Sequence, residues 1–257
     1  MRVILEPTTH TYQDETGKYY TPVSHIIGEY KEKFDPYKKM PNGETLISNY
    51  VAKHGQTETY WLDLWEEKKN RACEKGTAFH NLKELALNGR GIVKVGQEEL
   101  NVHNIDYVWR INGMEGVFGK LPPGVYTELC LWNYKAKIAG TADVVTIYAD
   151  KTFEIDDYKT NGKFETEGFR GKTMKYPFNK LPDCNLGHYT VQLSLYAWML
   201  EQHGLKCRAL RLHHYNIPEE QVDDIILNGI MPDIKPVIYT VDYVKQDIET
   251  LIKDRKK

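Results

Sequence analysis

The sequence predicts an α/β fold, a sheet covered by helices, on three observations. A helix-rich stretch comes first, three consecutive extended segments follow, and helix and strand then alternate to the end of the chain. The composition is that of an ordinary globular protein: 257 residues, 41% hydrophobic, 27% charged, 19 Gly. Disordered, collagen-like and repeat-array readings therefore fall away, and no disulfide or metal staple is needed to support a core of this size.

Taken in order, His10-Thr11-Tyr12 and Pro22 to Ile27 frame a hairpin turning around Asp14-Glu15-Thr16-Gly17, followed by a helix that Ser24 is placed to cap. From Thr57 to Asn88 the chain is helix-rich, with Trp61, Leu62, Leu64 and Trp65 early, Phe79, Leu82, Leu85 and Leu87 later, and Gly89 as the stop. Extended stretches run from Val125 to Trp132, Lys137 to Tyr148 and Thr152 to Thr160. A polar loop then reaches Gly187. His188 to His203 reads as a helix closed by Gly204, and Cys207 to Tyr215 and Val237 to Val241 read as strands. Asp242 is placed to cap a last helix carrying Val244, Ile248, Leu251 and Ile252 on one face. With no internal repeat or low-complexity linker, the expectation is one domain over 1–257: an N-terminal extension of 1–55 packed on a core of 56–215, then a C-terminal strand and helix in 216–257.

Charge excludes little. Lys and Arg number 34 against 36 Asp and Glu, so a polyanion partner has to be argued from local patches. No apolar run approaches the roughly 18–20 residues that span a bilayer, and Glu6 interrupts the start before a signal-peptide core forms, so no membrane partner and a cytoplasmic location are expected. Cys73, Cys130, Cys184 and Cys207 stand far apart without a C-x-x-C pair, which predicts free buried thiols rather than a zinc or iron-sulfur site.

The chemistry concentrates in Gly140-Thr141-Ala142-Asp143 and Asp156-Asp157-Tyr158-Lys159-Thr160. If Ala149-Asp150-Lys151 is a three-residue hairpin loop, Asp143 falls directly opposite Asp157. Opposed side chains lie roughly 4.5–5.5 Å apart, where like charges repel unless a cation sits between them. Strand alternation puts Asp157 and Lys159 on one face and Asp156 on the other. Two carboxylates with an adjacent ammonium suit phosphodiester hydrolysis at Mg²⁺ or Mn²⁺, with Lys159 orienting or deprotonating water and offsetting charge on the phosphate. A bare D-x-K tripeptide also occurs by chance as a solvated ion pair.

Three further features narrow the choice. Gly76-Thr77-Ala78-Phe79-His80 puts His80 and Glu84 on one helix face, where a neutral imidazole is a competent ligand for Mn²⁺. His188, Gln192 and Tyr196 repeat every four residues, a stripe that suits a phosphate, a stacked base or the polar edge of an amphipathic helix. The loop from Gly162 to Leu186 interleaves Lys163, Arg170, Lys172, Lys175 and Lys180 with Phe164, Phe169, Tyr176 and Phe178, a mixture suited to single-stranded nucleic acid and to an ordinary solvated loop alike.

In order along the chain, G-T-x-x-H, G-T-x-D, D-Y-K-T and Q-L-x-x-Y resemble the motifs of PD-(D/E)XK nucleases of the RecB-like exonuclease group. The segments His10 to Tyr12 and Pro22 to Ile27 are similar to the N-terminal part of phage-type members and of the mitochondrial genome-maintenance exonuclease, and Leu181 to Asn185 is similar to phage and mobile-element relatives, so the resemblance covers about 10–215. It implies a restriction-endonuclease-like core, a central mixed β-sheet flanked by helices. His80, Asp143, Asp157 and the Tyr158 carbonyl would bind Mg²⁺ or Mn²⁺, with Lys159 as the catalytic lysine and His80, Asp143 and Asp157 beside it. Gln192 and Tyr196 would support the site or the DNA. Glu128 matches a frequent family acid of open role, because the turn near Asn133 to Lys135 does not fix its register. Some relatives carry an iron-sulfur cluster, but no cysteine cluster follows Gln192 and none is expected here. The activity implied is a metal-dependent deoxyribonuclease, an exonuclease on DNA ends or single strands in phage or mobile-element recombination or replication, in a phage-infected or bacterial cell. A structure-specific endonuclease and a non-cutting DNA-binding module are the alternatives. DNA is the expected partner, and a helicase or recombinase a candidate one, since the chain has no P-loop motor of its own.

Overall fold

A computed structural model describes residues 3–6, 9, 11–104 and 118–255. His10 of the N-terminal segment lies outside the described residues. The strands are β1 (Val3–Glu6), β2 (Thr11–Asp14), β3 (Tyr19–Pro22), β4 (Ile92–Val95), β5 (Glu98–His103), β6 (Gly124–Asn133), β7 (Ile138–Ile147), β8 (Thr152–Lys159), β9 (Lys206–His214) and β10 (Val237–Thr240). The helices are α1 (Val23–Tyr30), α2 (Leu46–His54), α3 (Glu58–Asn88), α4 (Asn185–Glu201), α5 (Val222–Asn228) and α6 (Lys245–Arg255). The fold is α/β, with a mixed central sheet flanked by helices.

β7 organises the sheet. One of its edges pairs along nearly its full length with β6, and the other is shared: Val144 to Ile147 pair with β8, while Ile138 and Ala139 pair with β3. The sheet therefore runs from β4 through β5, β6, β7, β8 and β9 to β10, with β1-β2-β3 continuing from the other end of β7. β8 and β9 are parallel, so the chain must cross over the sheet between them, and residues 160–184 with α4 make that crossover. β3 on β7 and β5 on β6 are the other parallel pairs.

One large core takes residues from both ends of the chain. Val3, Tyr20 and Ile26 join Ile155, Leu195, Leu210 and Leu251 in a single buried cluster. At its centre is α4, whose residues from Leu193 to Leu200 are all buried. A helix apolar all round belongs inside, and α4 is packed by α1, α6 and the sheet. Side-chain alternation sends Tyr158 to a smaller cluster with Phe79, Tyr215, Ile217, Val222 and Ile225, which seats α3 and α5.

Boundaries differ from the sequence reading where capping chemistry differs. The first helix starts at Val23 with Pro22 at its N-cap and no side-chain cap bond, so Ser24 lies inside the first turn rather than capping it. α3 is one unbroken helix of 31 residues, about 46 Å long, capped by Thr57, whose side chain accepts the Tyr60 N–H. Its early apolar residues are only half-buried, and Trp61 and Trp65 lie edge-on to Tyr50 of α2 at 5.0 and 5.2 Å. α4 begins at Asn185, inside the stretch expected as loop. α6 begins three residues after Asp242, and Val244 packs on the core ahead of it. Cys130 and Cys184 are buried as expected, but Cys73 is exposed on α3, a helix that contacts the sheet mainly through its later turns.

Candidate metal centre and active site

The site lies at the fork where β3 and β8 leave the same edge of β7. Tyr148 donates its N–H to Thr152 O at 2.9 Å, and Lys151 turns the corner at φ 66, which makes 149–151 a three-residue hairpin loop. The ladder then runs from Ile147↔Phe153 to Val144↔Asp156, and the next position on each strand is Asp143 and Asp157. The β6–β7 ladder pairs Thr127 with Val144 and Leu129 with Ala142, which leaves Glu128 opposite Asp143. Three carboxylates from three adjacent strands thus stand in one row. Glu128 sits at φ 47, a left-handed backbone that costs a non-glycine residue roughly 1–2 kcal/mol and breaks the ladder there.

The long helix brings the fourth group. Phe79 is fully buried and packs at 4.8 Å against Tyr215, fixing the turn of α3 that carries His80. His80 Nε2 donates to the Tyr158 carbonyl at 3.0 Å, and its Nδ1 is 3.3 Å from Asp143 Oδ1. The other Asp143 oxygen accepts the Tyr158 N–H at 2.6 Å. One ligand atom each from His80, Glu128 and Asp143 lies within 4.8 Å of the other two, the spacing of a shared cation. One imidazole nitrogen and two carboxylates form a donor set that suits Mn²⁺ or Mg²⁺.

Asp157 stands outside that triangle. It is 1% exposed, Lys159 Nζ lies 2.5 Å from its Oδ2, and neither of its oxygens takes a well-directed hydrogen bond. The ammonium also lies 4.4 Å from the centre of the Tyr189 ring on α4. The sequence placed Asp157 among the ligands and left Glu128 open. The geometry draws Glu128 into the cluster and gives Asp157 to Lys159.

Electrostatics follow from burial and crowding. Burial pushes the Glu128 carboxyl up to about 8, with Asp143 adding repulsion. Burial also raises Asp157 to about 6, against the pull of Lys159. At Asp143 burial is outweighed by His80, Lys159 and the Tyr158 amide, and the carboxyl is held below its ordinary value. Burial would lower the His80 imidazole, but Asp143 dominates and raises it to about 9. Asp157 and Asp143 likewise overcome burial at Lys159 and raise it, so Lys159 is an ammonium.

The remaining expected residues serve the scaffold or the surface. Gln192 donates to Tyr196 Oη at 3.1 Å, and Tyr196 is buried against Gly140, where a Cβ would lie 2.6 Å from Tyr196 Cε1. That ring is closed off from a stacked base and supports the site from behind. His188 Nε2 bonds Asp183 Oδ1 at 2.6 Å. In the basic loop, Lys163 pairs with Glu165, Lys172 with Glu32, and Lys175 Nζ donates to Glu29 O, while Arg170 lies over the exposed Phe169 ring. Phe178 is buried and Phe164 stacks on Tyr239 at 4.4 Å, so two of the four aromatics are packing residues. On the other face of β8, Asp156 accepts from Arg211 and His213, both at 2.7 Å, a network the sequence reading did not contain. Tyr189, next to the Gln192 stripe, was also missed, for nothing local marks an aromatic that meets a lysine thirty residues earlier.

No family model and no curated protein matches this chain. What the fold defines is the class, α/β with a mixed central sheet. Among the described residues no helix is long and apolar enough to cross a membrane.

Proposed function

We propose that the chain is a metal-dependent deoxyribonuclease of the PD-(D/E)XK type, an exonuclease that hydrolyses DNA phosphodiester bonds. The observation that carries this reading is the convergence of His80, Glu128 and Asp143 within 4.8 Å beside the buried Asp157–Lys159 pair. His80, Glu128 and Asp143 would hold Mg²⁺ or Mn²⁺, which supplies Lewis-acid polarisation of a phosphate and acidification of water. Lys159 does not serve as a base here, because a lysine paired with one buried carboxylate and close to a second keeps its proton. It orients a water by donating to it and offsets the charge that grows on the phosphate oxygens. Asp157 and the Tyr189 ring fix the ammonium between them, so that little reorganisation is needed during reaction. Against burial, Asp143 raises the His80 imidazole to about 9, so His80 would have to give up a ring proton to act as a ligand.

The test is digestion of end-labelled linear single- and double-stranded DNA, with a closed-circular control, in Mg²⁺ or Mn²⁺. Wild type should consume the linear substrates, and Lys159→Ala should lose about 10²-fold or more of the rate, the size typical of an electrostatic group in a site. Cutting of closed circles would indicate an endonuclease. Binding without cutting by wild type in either metal would reject the catalytic reading.

A further inference from the structure

An open cleft of about 700 Å³ separates the C-terminal end of α1 from residues 172–183, and Lys31, Lys33, Lys172, Lys175 and Asp183 line it. Its walls are fixed to each other. Lys175 donates its N–H to Tyr30 O and its Nζ to Glu29 O, both at 2.9 Å, and the Glu32 N–H reaches Asp183 Oδ2 at 2.9 Å. Beneath them the Phe178 ring meets Tyr30 edge-on at 5.2 Å. The cleft is thus built before any ligand arrives, which lowers the ordering cost of binding.

Its charge is one-sided once the pairs are counted. Glu32 is engaged by both Lys38 and Lys172, Glu29 by Arg255 at 2.8 Å, and Asp183 by His188 at 2.6 Å. Lys175 meets only carbonyl oxygen there, and among the described residues Lys31 and Lys33 meet no carboxylate within ion-pair distance. Glu29 and Glu32 are paired with cations, while burial lowers the His188 imidazole and leaves Asp183 its charge; Lys31, Lys33 and Lys175 outnumber that one carboxylate, which calls for an anion. Directly after Lys175 comes Tyr176, 68% exposed, and the same loop carries Phe169, also 68% exposed and beside Arg170. Exposed rings alternating with cations match a strand whose phosphates are regular and whose base faces are free. A duplex offers the phosphates but keeps its base faces stacked. One helix turn touches both places: Asp183 of the cleft holds His188, and the next residue, Tyr189, lies 4.4 Å from Lys159 Nζ.

We infer that this cleft binds a single strand of DNA, with Lys31 and Lys33 on its phosphates and Tyr176 stacked on an unpaired base, and leads it to the centre at Lys159. The N-terminal segment, through the end of α1, is thereby part of the substrate site. The path's end point rests on the nuclease reading; the binding itself does not.

The experiment is fluorescence anisotropy of a labelled oligothymidylate of about 20 nucleotides and of a duplex of equal length, in EDTA so that nothing is cut. Lys31→Gln/Lys33→Gln should bind the single strand about tenfold more weakly, with a salt dependence shallower by about 1.4 in log-log slope, as two phosphate contacts disappear. Tyr176→Ala should lose about fivefold or more with the slope unchanged. Melting temperatures equal to wild type check that these surface changes leave the fold intact. Unaltered single-strand affinity in these variants, no single-strand binding by wild type, or duplex binding as tight as single-strand binding would overturn the inference. If the variants lose binding and wild type binds but never cuts with metal, the cleft stands and the nuclease reading falls. If wild type cuts and the variants bind normally, the reverse holds.

Discussion

Gly140 and Gly76 head two of the sequence motifs, and the structure assigns substitutions at them opposite signs. A Cβ on Gly140 would lie 2.6 Å from Tyr196 Cε1 and 3.1 Å from both Tyr196 Oη and Val23 Cγ2, all in the main core. Overpacking of that kind costs about 1–3 kcal/mol. Moving the ring also strains the 3.1 Å bond from Gln192 to Tyr196 Oη, worth about 0.5–1.5 kcal/mol. Gly140→Ala should therefore lose about 2–4 kcal/mol, seen as a melting temperature lower by about 5–15 °C. A Cβ on Gly76 would instead meet Thr160 Oγ1 at 3.7 Å, an ordinary contact, inside a helix where alanine is favoured by about 0.5–1 kcal/mol. Gly76→Ala should be neutral to stabilising. Urea unfolding of both variants, and of Gly140→Ala in a Tyr196→Ala background, tests the cause as well as the size. With the ring removed, most of the Gly140→Ala cost should vanish, a coupling of about 1.5–3 kcal/mol. Additive losses, or a Gly140→Ala variant within about 0.5 kcal/mol of wild type, would refute the packing explanation.

Mn²⁺ affinity measured by calorimetry should rise between pH 6 and pH 9, with protons released on binding, because His80 is raised to about 9 and Glu128 to about 8 and both must shed a proton to become ligands; equal affinity at both ends of that range, in buffers of different ionisation heat, would contradict this. Asp14 accepts from the Thr16 hydroxyl and amide, the Lys18 amide and Tyr20, which lower it from 3.8 to about 2. Its stabilisation is therefore complete above the unfolded value and is lost as pH falls from about 4 through 2, so Asp14→Asn should flatten that part of a melting-temperature profile and lower stability at neutral pH. Phe79→Ala should cost about 3–5 kcal/mol in chemical unfolding, since the ring is fully buried and the small cluster around it has little with which to refill the space. Phe79→Leu should recover most of that loss, and a variant series that leaves stability unchanged would mean that α3 is seated elsewhere.

The Asp143/Asp157 register was legible because a three-residue loop leaves only one pairing, and alternation then carries it along both strands. The Glu128 register was not. The turn between β6 and β7 puts Lys137 at φ 54, where glycine or asparagine would have marked the position, and its other signal is Asn133 Oδ1 accepting the Ala136 N–H at 2.9 Å. Without that anchor, nothing in the sequence says that Glu128 lies opposite Asp143. β4, β5 and α2 escaped for a different reason: they are short, half-exposed elements without a clear apolar period, and tertiary contacts rather than local preference hold them. The basic loop shows its mixture of charge and ring in the sequence, but which rings are buried depends on β10 and α1, far away in sequence.

The row of carboxylates has its alignment set at a distance. Asp143 lies six residues from the 149–151 turn, about 20 Å of strand, and Glu128 lies five residues from the end of β6. Both hairpin bends act as rulers for acids they never touch. Lengthening either bend by one residue would slide one strand past its neighbour and turn its acid to the opposite side of the sheet, while the hydrogen-bonded ribbon itself could still form. Asn133 and Asp150 brace these bends, Asp150 Oδ1 accepting the Thr152 N–H at 2.9 Å and its hydroxyl at 2.6 Å, but it is the number of residues that sets the alignment. Asp150→Ala should thus cost about 0.5–1.5 kcal/mol of stability yet keep the site together, where a single insertion beside it would separate the site's parts without unfolding the chain.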